Sequence, residues 1–288
     1  MTREYRVDDL VDFTLYPLDC PESKQYKEAL ENARAQLKED GCAIFRDLLR
    51  PTAVKIISQE IVARKSTTHF STSSMNPYFH SIHNPDYPEH HPVNTFIERS
   101  SGFIPGDSWD SSLAIDVLFR SEALTQFIRD ALETKSVFCY ADPLAGLTAN
   151  ILDPGQQFAW HFDTNDFAVT AMIDEADDGG LFEYVPMTRT PDDESFEKIQ
   201  QILDGDRTMV KTLDLRAGDL QIFRGRHSLH RVTRVPTSSK PRHAAIFAYT
   251  AEPGVIGRVE RTRQLFGRVL ATHEEAEKLR VRSDSLID

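Results

Sequence analysis

The residues with the clearest chemical potential form the tripeptide His161-Phe162-Asp163, which lies between the turn sequence DPGQQ and the alternating segment FAVTAMI. Side chains two positions apart on an extended strand point to the same side. His161 and Asp163 can therefore reach one cation together, while Phe162 points away. A His-x-Asp tripeptide alone is weak support, but its place between a turn and an alternating strand makes a metal site the favoured interpretation.

A third ligand is expected from the segment RGRHSLHRVTRV, which follows the strand-like LQIF. His227 and His230 are three residues apart, so a strand would place them on opposite faces. We favour His230, because it opens the alternation RVTRV, and expect His227 to lie beside the site or to face solvent. Two histidines and one carboxylate that leave three coordination positions open are typical of non-haem Fe(II) oxygenases.

Two other classes of protein could use the same residues. A zinc hydrolase binds its metal through similar donors, although no Asp or Glu stands out beside the tripeptide as a general base. A jelly-roll protein could also bind a ligand without turning it over, because a fold does not guarantee chemistry. Release of succinate from 2-oxoglutarate in air would separate these alternatives from an oxygenase.

The composition narrows the range of partners. The chain has 288 residues, a formal net charge of -12 and 40% hydrophobic residues, which indicates a folded protein that repels phosphate backbones and anionic lipid. We therefore expect a small-molecule substrate, no nucleic acid and no membrane, and a homodimer is possible. The sequence has no apolar run of membrane-spanning length and no signal-like N-terminus, and its three cysteines suit reduced thiols, so a cytoplasmic location is expected.

The elements that must position these ligands follow from periodicity. Apolar residues at helical spacing predict a helix over about 26–37 that ends at Gly41, then a strand over 42–46 and a second helix that opens at Pro51. A further helix is predicted over about 109–134. The stretch 66–107 is rich in Ser, Thr, His, Pro and Asn and shows no clear period, so it is predicted to be a long loop near the active site.

Beyond residue 135 the pattern becomes one of short strands separated by Gly, Pro and Asp turns, with one helix near 193–203. Such a series predicts a mainly β fold, namely a double-stranded β-helix (a cupin-like jelly roll) with N-terminal helices packed on it. We expect a single domain over 1–288. Residues 1–135 would supply the helical support and the active-site loop, 136–250 the jelly-roll core, and 251–288 a helical extension.

The segments AWHFDTNDFAVTAMI, GGLFEYVP, AGDLQIFRGRHSLHRVTRV and RHAAIFAYT resemble the iron(II)/2-oxoglutarate-dependent oxygenase superfamily over roughly 140–250. They look most like the branch that contains the halogenases and hydroxylases of free amino acids. The resemblance implies Fe(II), 2-oxoglutarate as cosubstrate and O₂. It also implies that an Arg after the distal histidine binds the far carboxylate of 2-oxoglutarate. Arg242 fits that place, with Arg231 and Arg234 as alternatives and Thr233 as an additional contact.

The halogenases of this branch carry a small residue where the metal-binding carboxylate stands, which opens a coordination position for halide. This chain has Asp163 there, so the resemblance implies hydroxylation of an unactivated C–H bond. The expected substrate is a small polar molecule, a free amino acid such as lysine, contacted by Asn150, Asn165 and Asp166. The carboxylates of Asp166 and Glu183 could favour its ammonium group.

Overall fold

The structure is a computed structural model that describes residues 5–279 and 286–287. Its α-helices are α1 Val7–Leu10, α2 Lys24–Asp40, α3 Pro51–Arg64, α4 Ala114–Phe119, α5 Glu122–Leu132, α6 Phe196–Leu203, α7 Val259–Phe266 and α8 Ala271–Leu279. Its strands are β1 Cys42–Phe45, β2 His69–Met75, β3 Ile97–Ile104, β4 Phe138–Cys139, β5 Leu147–Leu152, β6 Phe158–His161, β7 Ala168–Asp174, β8 Phe182–Val185, β9 Lys211–Leu213, β10 Leu220–Phe223, β11 Leu229–Val232, β12 Arg242–Phe247 and β13 Tyr249–Thr250.

Two antiparallel sheets form the core of the fold. The larger has seven strands in the order β1-β10-β7-β12-β5-β3-β2, and the smaller has four in the order β6-β11-β8-β9. Their facing surfaces pack on each other, as the edge contact between the rings of Phe182 and Phe223 shows, with centroids 5.1 Å apart. The prediction of a mainly β fold, a double-stranded β-helix with helices packed on it, is confirmed.

The two faces of the larger sheet are separated by strand alternation. Ala149 and Ala245 are paired across β5 and β12 and join the large apolar core that also contains residues of α2, α3, α4 and α5. The alternate pair Thr148 and Ile246 lines a cavity on the opposite side, between the sheets. Every second residue of β5 and β12 therefore faces the barrel interior.

The N-terminal helices form where local signals predict them. Ser23 accepts a hydrogen bond from the N–H of Tyr26 at the start of α2, and Gly41 ends that helix with a φ of 65°. Pro51 is the first residue of α3. The single helix predicted over 109–134 is instead α4 and α5, because Ser121 leaves the helical conformation and caps α5 by accepting from the N–H of Leu124.

The prediction of a long loop over 66–107 is wrong for much of that stretch. Strands β2 and β3 pair along their whole length there and extend the larger sheet. Strand β2, with the sequence HFSTSSM, is the edge strand, and most of its side chains are partly exposed or exposed. Such a strand needs few apolar residues, so the hydrophobic alternation that marks a strand is missing. The stretch 76–96 is irregular apart from the 3-10 turn Pro92–Asn94.

None of the helices in the described part of the chain has the length and apolar character needed to cross a membrane.

Candidate metal centre and ligand cavity

The two histidines of the predicted triad lie side by side on the smaller sheet. His161 ends β6, and His230 sits directly opposite it on β11, with the ring centroids 4.0 Å apart. The Nδ1 atom of His161 is 2.8 Å from the carbonyl oxygen of Ala159, and that of His230 is 2.9 Å from the carbonyl oxygen of Ser228. An Nδ1–H that donates to a carbonyl leaves both Nε2 atoms free to bind a metal.

The carboxylate of Asp163 completes the group just beyond the end of β6. Its Oδ1 is 3.7 Å from Nε2 of His161 and 3.5 Å from Nε2 of His230. The three donor atoms lie within 4.8 Å of one another, and the residues are buried or partly buried. The geometry selects His230 over His227, whose Nδ1 is buried with no hydrogen-bond partner in the described structure and which is not part of this group.

The protonation states suit metal binding. Burial and the nearby His230 hold the pKa of His161 well below its usual range. For Asp163, burial acts to raise the pKa, but His230, His161 and Arg261 outweigh it and lower the pKa to about 2. A neutral imidazole and an ionised carboxylate are the forms that coordinate a cation. Two nitrogens and one oxygen are donors that suit Fe(II) in a site with open positions.

Arg242 opens β12 on the barrel-facing side of the larger sheet, since it alternates with Ala244 and Ile246 and pairs with Leu152. Its side chain is 3% exposed, and burial lowers its pKa to about 10. Within residues 5–279 and 286–287 its Nε has no hydrogen-bond partner. A buried guanidinium that lacks an acceptor is costly, so this position fits an anionic ligand such as a carboxylate.

The other predicted contacts of 2-oxoglutarate lie elsewhere. Arg231 donates to Glu183 at 2.7 Å and lies over the ring of Trp160, on the opposite face of β11 from His230. The hydroxyl of Thr233 accepts from the N–H of Leu181. Arg234 is half exposed and pairs with Glu98. The structure does not bring Arg231, Thr233 or Arg234 to the metal group. Strand alternation turns Arg231 outward, whereas Thr233 and Arg234 lie beyond the end of β11 and contact Leu181 and Glu98 instead.

Glu183 does not provide the acidic wall that the sequence suggested for an ammonium group. Its carboxylate pairs with Arg231 and with Arg207 at 2.5 Å, on that same outer face. The expectation for Glu183 is therefore corrected: two guanidinium groups already neutralise it, away from the ligands of the metal.

A cavity of about 550 Å³ adjoins the metal group, and Asp163 forms part of its wall. This volume suits a small ligand. Asn165 and Asp166, predicted as substrate contacts, also line it, and the carboxylate of Asp166 is 4.0 Å from Nε of Arg226. Asn150, the other predicted contact, is not among the residues that line this cavity; it lies on the barrel-facing side of β5, where its amide donates to the carbonyl of Gly102.

Sequence reasoning missed two arginines, one that borders this cavity and one that packs on an aromatic ring of its wall. Arg261 of α7 borders the cavity, and its guanidinium lies over the ring of Phe79. Arg99 of β3 is 2% exposed and lies over the ring of Phe158, whose centroid is 4.2 Å from that of His161. No signal in the sequence distinguishes either residue from an ordinary surface arginine.

Both arginines are short of acceptors. In the part of the chain that the structure describes, Nε and Nη1 of Arg99 and Nη1 of Arg261 are buried without a hydrogen-bond partner. Burial lowers the pKa of Arg99 to about 10. Burial and the charge of Arg99 hold the pKa of Arg261 well below its usual range. Two like charges buried near each other indicate a place for an anion.

A double-stranded β-helix that carries a His-x-Asp…His group and a buried, barrel-facing arginine defines the class of Fe(II)- and 2-oxoglutarate-dependent oxygenases. Residues 108–262 match the family model described as halogenase D. This match covers more than half of the sequence, so the chain belongs to the halogenase D family. A search of curated proteins gives no significant match.

Solved structures share the fold at low sequence identity. An oxidoreductase of the 2OG-Fe(II) oxygenase family from Burkholderia pseudomallei is 14% identical, with a TM-score of 0.52, over 77% of this chain and 91% of that one. AviO1 from Streptomyces viridochromogenes Tue57 is 17% identical, with a TM-score of 0.51, over 81% and 97%. The non-heme alpha ketoglutarate dependent epimerase SnoN from nogalamycin biosynthesis is 13% identical, with a TM-score of 0.51, over 78% and 81%.

Proposed function

We propose that this protein is an Fe(II)- and 2-oxoglutarate-dependent hydroxylase of a free amino acid. The observation that carries the proposal is the position of Asp163, whose Oδ1 lies beside Nε2 of both histidines. A protein carboxylate at this place occupies the coordination position that a halide would need. The remaining open positions suit the cosubstrate and O₂.

The cosubstrate is assigned to Arg242. 2-Oxoglutarate carries a second carboxylate far from its metal-binding end, and Arg242 is a buried guanidinium on the sheet that faces the metal group. A planar guanidinium can hold a carboxylate through two parallel hydrogen bonds. The missing acceptor of its Nε supports this role.

The substrate is assigned an α-carboxylate that lies between Arg99 and Arg261. Their unpartnered guanidinium nitrogens supply donors, and Arg261 borders the same cavity as Asp163. Besides Asp163, the acidic residues Asp166 and Glu252 line this cavity and supply carboxylates for the amine. This balance of charges favours a ligand with a carboxylate, and with Glu183 engaged elsewhere it gives less support to a basic side chain such as that of lysine.

When bound, iron and 2-oxoglutarate supply the activation of O₂ that breaks an unactivated C–H bond. The residues of the chain bind, orient and shield. Backbone carbonyls fix the two imidazoles, Arg242 holds the cosubstrate, and the arginine pair orients the substrate towards the metal. Phe79 and Phe158, with ring centroids 5.2 Å and 4.2 Å from that of His161, form an apolar wall that excludes water from one side of the site.

A halogenase is the second candidate, because the family model that matches residues 108–262 is described as halogenase D. Halogenation would require Asp163 to leave the metal. The zinc hydrolase considered from the sequence has less support. Membership of this family favours an oxygenase, and so does Arg242, a buried guanidinium whose Nε has no acceptor among the described residues.

Mass spectrometry of reactions with Fe(II), 2-oxoglutarate, O₂, chloride and a panel of free amino acids tests the proposal. We expect succinate formation that depends on one amino acid, together with the gain of one oxygen atom by that amino acid. A chlorinated product would show that the protein is a halogenase. Turnover restricted to peptide-bound or thioester-bound amino acids would contradict the free substrate, while succinate formation would still support the oxygenase.

A further inference from the structure

Gly225 lies against the carboxylate of the third metal ligand. A Cβ atom built on Gly225 would overlap Oδ2 of Asp163 and would lie 2.6 Å from its Cγ and 3.0 Å from its Cβ. Separations this short do not occur between a real Cβ and its neighbours, so one of the two groups would have to move.

Conformational freedom does not explain the glycine. The φ angle of Gly225 lies outside the left-handed region that only glycine adopts readily, so an alanine could take the same backbone conformation. The constraint that the structure shows at this position is space. A glycine that is required for space marks a close approach of another group, here the carboxylate of Asp163.

The two segments cannot easily separate to make room. The N–H of Asp163 donates to the carbonyl of Gly225 at 3.1 Å, and Nη1 of Arg226 donates to the carbonyl of Thr164 at 2.8 Å. These bonds hold the loop between β10 and β11 against the turn after β6. An added methyl group would therefore displace the side chain of Asp163 before it displaced the backbone.

We propose that Gly225 is a positioning residue for Asp163, and that positions 163 and 225 act as a coupled pair. Oδ1 of Asp163 points to the two imidazoles, and Oδ2 occupies the space that Gly225 leaves open. A side chain at 225 would turn the carboxylate and withdraw Oδ1 from the metal. The inference rests on the metal group of the proposed function, but it holds whichever substrate the enzyme uses.

The test is a double-mutant cycle that measures Co(II) binding by competition with a chelator, in the absence of 2-oxoglutarate and substrate. We expect Gly225→Ala to weaken Co(II) binding by about tenfold or more, which corresponds to about 1.4 kcal/mol. In the Asp163→Gly background no carboxylate remains to collide with the methyl group. There the same Gly225→Ala change should alter Co(II) binding by no more than about twofold, the limit expected for independent sites.

Thermal unfolding of the metal-free variants gives a second readout. Gly225→Ala should lower the melting temperature when Asp163 is present, and the Asp163→Gly change should restore it. If Gly225→Ala alone fails to fold, folding of the double variant supports the coupling. Equal losses in both backgrounds would show that Gly225 serves only the loop and would overturn the inference. Wild-type Co(II) binding by Asp163→Gly alone would instead contradict the proposed metal triad.

Discussion

At the scale of single residues, the metal group depends on side chains whose direction is set by strand pairing. His161 and His230 are opposite each other on β6 and β11, and Asp163 follows His161 on the same side. His227 is only three residues from His230, yet it is not part of the group that His161, Asp163 and His230 form. The metal ligands are therefore separated from a nearby histidine by geometry alone.

We therefore expect alanine variants of His227 and His230, only three residues apart, to differ in activity. His230→Ala should abolish Fe(II)-dependent succinate formation, as should His161→Ala, because each removes a donor from an ion that the chain binds through three groups. His227→Ala is the control and should remain active. Succinate formation measured at saturating Fe(II) gives the comparison, and activity in His230→Ala with loss in His227→Ala would refute the assignment.

The assignment of Arg242 predicts a change in the use of 2-oxoglutarate. Arg242→Ala should raise the Michaelis constant for 2-oxoglutarate by at least about tenfold, since loss of a buried charge pair costs about 2 to 5 kcal/mol. Steady-state succinate formation at varied 2-oxoglutarate measures it. Arg231→Ala is the matched control, because that guanidinium pairs with Glu183 on the outer face. An unchanged Michaelis constant for 2-oxoglutarate in Arg242→Ala would show that Arg242 does not bind this cosubstrate.

The sequence predicted residues that are close together along the chain better than residues from distant segments. His161 and Asp163 followed from strand alternation, and the same rule excludes Arg231 once His230 faces inward, although the family resemblance had suggested it. Arg261 and Gly225 were missed because their importance comes from contact with Phe79 and Asp163. Only tertiary packing reveals such contacts.

At the scale of elements, α7 closes one side of the cavity. It provides Arg261 and packs Phe266, which is 4% exposed, against Phe103 with a ring-centroid separation of 6.3 Å. The same apolar cluster includes Phe79 and Phe158. The sequence predicted a helical extension here but gave no reason to place it over the site.

We expect that removing the ring of Phe266, which packs α7 against the sheet, will lower the stability of the protein. Phe266→Ala should lower the free energy of unfolding by about 3 to 5 kcal/mol, the usual range for a buried phenylalanine. Denaturant unfolding measures the loss. Leu279→Ala provides the control, because Leu279 is 83% exposed at the end of α8 and should leave the unfolding midpoint unchanged. Equal effects of the two changes would show that α7 is not held by this contact.

At the scale of the whole molecule, the two sheets contribute different parts of the site. The histidines come from the smaller sheet and Arg242 from the larger one, so bound 2-oxoglutarate would span both. The short strands beyond residue 135 were enough to predict a core made of two sheets. The contribution of β1, β2 and β3 to the larger sheet was only partly predictable, since the edge strand β2 lacks an apolar pattern.

This arrangement predicts an order of stabilisation by ligands. Mn(II), in place of oxidisable Fe(II), should raise the melting temperature, and 2-oxoglutarate should raise it further only when Mn(II) is present. A ligand at a hundred times its dissociation constant adds about 2.7 kcal/mol. In Arg242→Ala, Mn(II) should still raise the melting temperature but 2-oxoglutarate should not raise it further. In Asp163→Ala, neither ligand should raise it. Differential scanning fluorimetry distinguishes these patterns, and stabilisation by 2-oxoglutarate without Mn(II) would contradict the order.

The carbonyl groups that orient the two imidazoles belong to Ala159 and Ser228, each two residues before its histidine. Since backbone atoms are common to all amino acids, no point mutation can delete either acceptor. The carboxylate of Asp163 differs in this respect, because the residue that lies against it, Gly225, can be replaced by one with a side chain. Aspartate and glycine codons differ by a single base, so one substitution at Asp163 could change the reaction of a descendant while the histidine pair is inherited intact.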